Sequence, residues 1–268
     1  MTRNGSDNML DKEEFNNFII SKFEEEDVQI ATNEKLRTTE VYRPELEDLF
    51  RLYAFVIDNC VTSILEFGSG WSTLALSLGL KHNKHEYSGA YPNFNRNPHP
   101  FSICSVDNSK AFMDRAISRL DLESQSLVTP HLAVPKMSRV GLHSVTTWDP
   151  IPRFDFDLIY LDAPEPEQIV GGSEFIQMRG IHDLPIAGDL IVNEPYILPQ
   201  TSVIIDGRTS NARYLESNLY RNWDSLTNFE EDFTLLHLSE SPLGKINARH
   251  IDFRLEHSLA KNLQYLRG

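Results

Sequence analysis

The sharpest change of pattern in the chain lies between residues 63 and 76. There an apolar run, Ser63-Ile64-Leu65-Glu66-Phe67, meets the small residues Gly68-Ser69-Gly70 and continues as Trp71-Ser72-Thr73-Leu74-Ala75-Leu76. Such a run predicts a short buried strand, a tight turn and the first turns of a helix, the unit from which an open α/β sheet builds a nucleotide-sized site. Upstream, Leu10, Phe15, Phe18, Ile19 and Phe23 recur at helical spacing and predict an amphipathic helix over residues 11 to 26. A second helix follows Pro44, with Glu45, Glu47 and Asp48 near the positive end of its dipole and Leu46, Leu49, Phe50, Tyr53 and Val56 as its apolar stripe. Residues 1–59 are thus expected as a helical extension packed on a core domain of residues 60–268.

Residues 86 to 101 break the pattern with Pro, Asn and Gly among aromatics, which predicts a long loop able to act as a lid. Residues 101 to 107 then read as a strand ending in Asp107, residues 110 to 120 as a helix, and residues 127 to 134 as a third strand. Residues 140 to 147 add a further strand or a hairpin. The run Phe156-Asp157-Leu158-Ile159-Tyr160-Leu161-Asp162 is a continuous apolar strand closed by Ala163-Pro164. Residues 165 to 182 read as a loop with a turn at Gly171-Gly172, and residues 184 to 198 as an amphipathic segment crossing the sheet. Ser202-Val203-Ile204-Ile205-Asp206 is the next strand, turning through Gly207 into a helix over residues 212 to 219. Residues 233 to 238, with residues 250 to 255 as a weaker partner, predict an antiparallel edge at the C-terminal side. The expected class is α/β: a doubly wound, mostly parallel sheet with helices on both faces.

Composition narrows the partners. A chain of 268 residues buries one substantial core, and a formal net charge of −14 disfavours nucleic acid and anionic membranes. No apolar run is long enough to span a bilayer and the first residues are polar, so cytoplasmic residence is the expectation. The two cysteines, Cys60 and Cys104, and the nine scattered histidines lack the spacing of a disulfide framework or a zinc site. His182, beside Asp183, is the histidine placed to face a bound acceptor, although a surface role is the plainer reading.

The chemistry gathers at strand ends, which carry Glu66, Asp107, Asp162 and Asp206. Ligands of open α/β sheets bind beyond the carboxyl ends of the strands, so these acids would line one polar crevice. A lone strand-end aspartate is often a turn former or a helix cap; four on successive strands are harder to assign to turns. Glu66 inside an apolar strand costs free energy unless something pairs with it, which suits a ligand bearing hydroxyls or positive charge.

On these residues the chain resembles the class I S-adenosylmethionine-dependent methyltransferases. The resemblance rests on Ile64-Leu65-Glu66-Phe67-Gly68-Ser69-Gly70, Ser105-Val106-Asp107 and Asp157-Leu158-Ile159-Tyr160-Leu161-Asp162, and spans residues 60 to 215. The stretch from Leu198-Pro199 through Val203-Ile204-Ile205-Asp206-Gly207-Arg208, with Asn211-Ala212-Arg213, is similar to members linked to sugar and polysaccharide biosynthesis. The resemblance implies a Rossmann-like domain that binds S-adenosylmethionine. It places Gly68, Ser69 and Gly70 around the methionine portion, Glu66 near the amino group, Ser72 at the helix start beside them, and Asp107 on the ribose hydroxyls. It further implies O-methylation of a small-molecule or sugar acceptor, with Asp162 and Asp206 as catalytic residues or as ligands of Mg2+. Metal-dependent relatives usually carry asparagine after the second acid, where this chain has Gly207; Asn211, Glu165 and Glu167 are substitute oxygen donors. Arg208 would hold an acidic substrate group or pair with Asp206.

Two rivals remain in view. A nicotinamide-dependent oxidoreductase would share Gly68-Ser69-Gly70, but Thr73 stands where its third glycine belongs and Glu66 would repel a pyrophosphate. A non-catalytic module that keeps the cofactor pocket without transfer chemistry is the other rival, against which Asp162 and Asp206 at crevice positions favour an enzyme, although each could be structural.

Overall fold

The computed structural model describes residues 9–32, 43–91, 100–141, 143–150, 152, 155–179 and 188–259. Helices α1 (Lys12–Thr32) and α2 (Leu46–Asp58) lead into strand β1 (Ser63–Phe67) and helix α3 (Trp71–Tyr87). Next come β2 (Ser102–Asp107), α4 (Lys110–Ser118), α5 (Leu122–Leu127) and β3 (Val128–Leu132), followed by a hairpin of β4 (Val134–Val140) and β5 (His143–Asp149). Strand β6 (Leu158–Leu161), α6 (Gly172–Arg179), α7 (Gly188–Asn193), β7 (Ser202–Asp206) and α8 (Thr209–Asn218) complete the parallel part, and β8 (Trp223–Asn228), β9 (Phe233–Leu238) and α9 (Gly244–His257) close the chain.

The main sheet has the order β3-β2-β1-β6-β7-β9-β8. Its first five strands are parallel, whereas β9 pairs antiparallel with both β7 and β8. The chain runs outward from β1 through β2 to β3, then returns to the other side of β1 with β6. The switch point therefore falls between β1 and β6, where such sheets open a ligand crevice. Every residue of β1 and β6 is buried, as expected for central strands covered on both faces.

Side-chain alternation separates two cores. Leu65, Phe67, Val106, Ile159, Leu161, Val203 and Ile205 pack on one face with Leu190 of α7 and Ala212 and Leu215 of α8. Ile64, Leu158, Tyr160 and Ile204 pack on the other with Leu52 and Val56 of α2 and Leu76 and Leu80 of α3. A third cluster joins the N-terminal helices to the domain through Phe15, Ile19, Leu49, Tyr53, Ile57, Trp71, Leu74 and Leu120. Among the described residues no helix is long and apolar enough to cross a membrane.

The expected mostly parallel sheet with helices on both faces and an antiparallel edge is present, but the edge is built differently. Residues 250 to 255 are not a strand; they lie in α9, and β8 supplies the edge instead. His250 and Arg254, one helical turn apart, both reach the carboxylate of Asp157, which helical spacing permits and a strand would not. The segment expected as a loop over residues 165 to 182 contains a 3-10 turn at Pro166–Gln168 and helix α6, and its residues 180 to 182 lie outside the described ones. The segment expected over residues 184 to 198 contains α7 and a 3-10 turn at Glu194–Tyr196, and its first residues lie outside the described ones. Most of the expected loop at 86 to 101 and His182 also lie outside them.

Asp157 fastens the amino end of the sheet. Its Oδ2 accepts the Thr62 amide and hydroxyl, both at 2.8 Å, while His250 Nε2 lies 2.7 Å and Arg254 Nη1 3.4 Å from Oδ1. Burial alone would raise this carboxyl; the charges of Arg254 and His250 outweigh it and hold Asp157 well below the usual carboxylate range. A depressed group of this kind adds stability above its ordinary value of 3.8, and the contribution is lost as pH falls through the lowered one. Asp157→Ala, which strands the Arg254 guanidinium at a buried site and removes a partner of His250, is expected to cost about 3–5 kcal/mol in urea unfolding at pH 7. That deficit should narrow in acid, and a variant as stable as the parent at pH 7 would remove Asp157 from this role.

Candidate functional site

Sheet register builds the site. Val106, Phe67, Leu161 and Ile205 stand side by side on β2, β1, β6 and β7, so the residues that follow them, Asp107, Gly68, Asp162 and Asp206, form one line across the carboxyl edge. Two hydrogen bonds continue the ladder into that line, from Gly68 N to Val106 O at 2.9 Å and from Asp162 N to Phe67 O at 3.0 Å. Three carboxylates thus share the edge with one glycine, and Glu66 lies two residues below on the same face as Tyr160.

The glycine turn is fixed by its acids. Gly68 has φ +101°, and a Cβ there would stand 3.0 Å from the Ala163 Cβ, so backbone conformation and space both require glycine. Asp107 accepts the Ser69 amide at 2.9 Å on one oxygen and the Ser109 amide at 2.7 Å on the other, joining the turns that follow β1 and β2. Glu66 is fully buried and accepts Ser72 Oγ at 2.7 Å, Thr73 Oγ1 at 2.8 Å and Ser105 Oγ at 2.6 Å. The partner that its sequence position demands therefore comes first from the chain itself. Burial pushes the Glu66 carboxyl up to about 7, against the pull of the three hydroxyls and with the nearby Asp107 charge. Glu66, Gly68, Ser69, Gly70, Ser72 and Asp107 all belong to this one turn and its supports.

On the other side of Gly68, Asp162 leaves half of its side chain open. Enclosure of its inner half and the Asp206 charge raise its carboxyl above the usual 3.8, although Arg208 pulls the other way and the open half tempers the shift. Asp206 is more enclosed: its Oδ2 accepts the Tyr160 hydroxyl at 2.6 Å and its Oδ1 lies 3.8 Å from Arg51 Nη2. Arg51 comes from α2, where it pairs with Asp48 at 2.7 Å and stacks 4.2 Å over the Phe233 ring. Arg208 turns toward Asp162 and not Asp206, donating to the Asp162 carbonyl at 2.7 Å and the Pro164 carbonyl at 3.3 Å, with Glu165 at 3.5 Å. Sequence reasoning had not singled out Tyr160 or Arg51. Tyr160 was signalled by its position two residues before Asp162 in a strand; Arg51 had only its spacing from Asp48.

No protein-family model matches the chain, and no curated protein does. Solved structures match more broadly. The O-methyltransferase TomG of Streptomyces achromogenes, in complex with S-adenosylmethionine, is 17% identical over 74% of this chain and 82% of its own, with a TM-score of 0.40. An O-methyltransferase of Bacillus cereus in complex with S-adenosylhomocysteine is 14% identical over 84% of this chain and 91% of its own, with a TM-score of 0.44. A Podospora anserina methyltransferase, also with S-adenosylhomocysteine, is 13% identical over 83% and 88%, with a TM-score of 0.43. Likeness at this level concerns the course of the chain, and the reading of the site rests on the residues above.

The expected Mg2+ site does not match these residues. Among the described residues no group of three or more His, Cys, Asp and Glu side chains could hold a metal ion. A guanidinium stands beside each of Asp162 and Asp206, where a divalent cation would meet repulsion. Glu167 is exposed on the 3-10 turn and Asn211 is buried in the first turn of α8. No step below runs through a metal.

Glu66 gives the site a pH signature. A carboxyl raised from 4.5 to about 7 in the fold contributes stability that is fully present below pH 4.5 and is lost as pH rises through about 7. Glu66→Gln, neutral throughout, lacks that loss. From pH 4.5 to pH 8 its stability should gain on the parent by roughly 3 kcal/mol, read from urea midpoints across the range. Parallel pH curves would show that Glu66 does not titrate as described.

Proposed function

We propose that the chain is an S-adenosylmethionine-dependent methyltransferase that methylates a hydroxyl of a small polar acceptor such as a sugar. The observation that carries this reading is the line Asp107–Gly68–Asp162–Asp206 at the switch point of the sheet, with Glu66 beneath it. Carboxylates on both sides of a close-approach glycine suit a ligand carrying ammonium and sulfonium charge, and oppose a pyrophosphate. The residue types fit the cofactor: glycine at 68 and 70 permits close backbone approach by its methionine portion, and the Asp107 carboxylate is an acceptor suited to ribose hydroxyls. Bound there, the cofactor supplies a methyl group on a positively charged sulfur.

The chain's own contribution is positioning and proton removal. Asp162, half open and raised toward neutrality, is the group to accept the proton of the acceptor hydroxyl. Asp206, held by Tyr160 and Arg51, forms the fixed wall behind it. A neutral acceptor is favoured by the surrounding acids, and the sugar assignment draws on the sequence likeness around residues 198 to 213.

Calorimetry with S-adenosylmethionine and S-adenosylhomocysteine tests the cofactor. Both should bind, and S-adenosylmethionine should release protons near pH 7, seen as a dependence of the heat on buffer ionisation, because a cation draws Glu66 and Asp162 back toward ionisation. Absence of binding by either overturns the proposal. With labelled cofactor and a panel of oligosaccharides and nucleotide sugars, Asp162→Asn should lower turnover by about 10²–10⁴-fold. Full activity in that variant would assign the base elsewhere.

A further inference from the structure

The start of α3 is gripped from two sides. Ser72 and Thr73 turn inward to Glu66. Trp71, the first residue of the helix and the neighbour of Gly70, turns outward into the cluster that contains Phe15 and Ile19 of α1. Arg119, just past the end of α4, lies with its guanidinium 4.0 Å from the centre of the Trp71 ring. Glu26 of α1 holds the same guanidinium by two bonds, Nε to Oε2 at 2.7 Å and Nη2 to Oε1 at 3.1 Å, and also pairs with Arg115 of α4 at 3.4 Å. Phe23, less than one turn before Glu26, brings its ring to 6.1 Å from Trp71.

The Glu26 and Arg119 side chains are only 12% and 8% exposed. A buried ion pair yields little net stability over apolar packing of the same volume, because both charges lose their water. What a two-bond fork supplies is a fixed orientation, here of a guanidinium plane lying over an indole. α4 itself begins beyond Asp107, whose carboxylate bonds both Ser109 and Ser69. One rigid path therefore runs from α1 through Arg119 to Trp71 and Gly70, and a second through α4 to Asp107.

We propose that Glu26 and Arg119 are positioning residues for the cofactor turn, orienting Trp71 so that Gly70 and the amides beside it meet the ligand, and that the N-terminal helix is thereby a working part of the cofactor site. The proposal rests on the reading of that turn as an S-adenosylmethionine site. Glu66 sets the depth of the helix start and the Trp71–Arg119–Glu26 stack sets its rotation.

The test is calorimetry with S-adenosylmethionine on the full chain and on Glu26→Gln, Arg119→Met and their double variant, each checked by circular dichroism. Each single change should weaken binding by about tenfold, and the double should be no weaker than the worse single, because the two act as one unit. Trp71 fluorescence, isolated by difference from Trp71→Phe, should shift on cofactor saturation in the parent and lose that shift in Arg119→Met. Should a charge-removing variant fail to fold, Arg119→Lys keeps the charge without the fork and should still weaken binding. Folded variants that bind within twofold of the parent overturn the inference while leaving the methyltransferase reading intact. No binding by the parent chain overturns both.

Discussion

The buried carboxylate of Glu66 is the constraint on which the site depends. A carboxylate at the centre of a parallel sheet loses its water, and only good hydrogen bonds offset the several kcal/mol that this costs. Those bonds come from β2 through Ser105 and from the first turn of α3 through Ser72 and Thr73. A single side chain thus fixes where α3 begins relative to two strands. The glycine turn between them is left with little freedom, and Gly68 at φ +101° against Ala163 uses what remains. The raised protonation range of Glu66 and the geometry of the turn are two results of the same burial.

Side-chain alternation extends that constraint across the sheet. Ser105, Glu66 and Tyr160 pair in register, and two residues further on Asp107, Gly68, Asp162 and Asp206 lie on the same face. Nearer the amino end that face is apolar, with Ile64, Leu158 and Leu52 in its core, and at the amino edge Asp157 ties down α9. Charge is therefore concentrated at the two ends of the strands for different purposes. At the amino end every carboxylate oxygen of Asp157 is engaged and its proton is lost readily; at the carboxyl end the carboxyls of Glu66, Asp107, Asp162 and Asp206 are all shifted upward. The upward shift alone does not mark a ligand site, since Asp189, which holds the Trp148 amide, is raised by burial as well; what sets the four strand-end acids apart is their common place at the carboxyl edge.

Much of this was legible in the residues, and the gaps have physical causes. The β1–turn–α3 unit stood out because the apolar period changes at Gly68, and the strands ending in Asp107, Asp162 and Asp206 because apolar runs stop at a carboxylate. Residues 250 to 255 misled because Ile251, Phe253 and Leu255 alternate as a strand would. In the structure Ile251 and Phe253 are buried but Leu255 is exposed, and the deciding contact is the His250–Arg254 pair on Asp157, far away in sequence. β8 escaped notice because Trp223-Asp224-Ser225-Leu226-Thr227-Asn228, at the sheet edge, carries few apolar residues. Sequence showed that Glu66 needed partners but not that hydroxyls within the same turn would supply them first.

The N-terminal helices enter the site by two arginines of opposite consequence. Arg119, held by Glu26 of α1, lies over Trp71 beside the glycine turn, while Arg51 of α2 lies beside Asp206 on the other side of Gly68. Around Asp162 and Asp206 the acids Glu45, Asp48, Glu165, Glu231 and Asp232 lie near the guanidiniums of Arg51 and Arg208, both of which already bond or pair with carboxylates or carbonyls. On the proposed reading, an anionic group on an acceptor would meet the negative charge of these acids with both described guanidiniums already engaged. Neutral hydroxyls meet carboxylates as donors to acceptors, so the electrostatics that would suit the proposed cationic cofactor on one side of Gly68 would also suit an uncharged, hydroxyl-rich acceptor on the other.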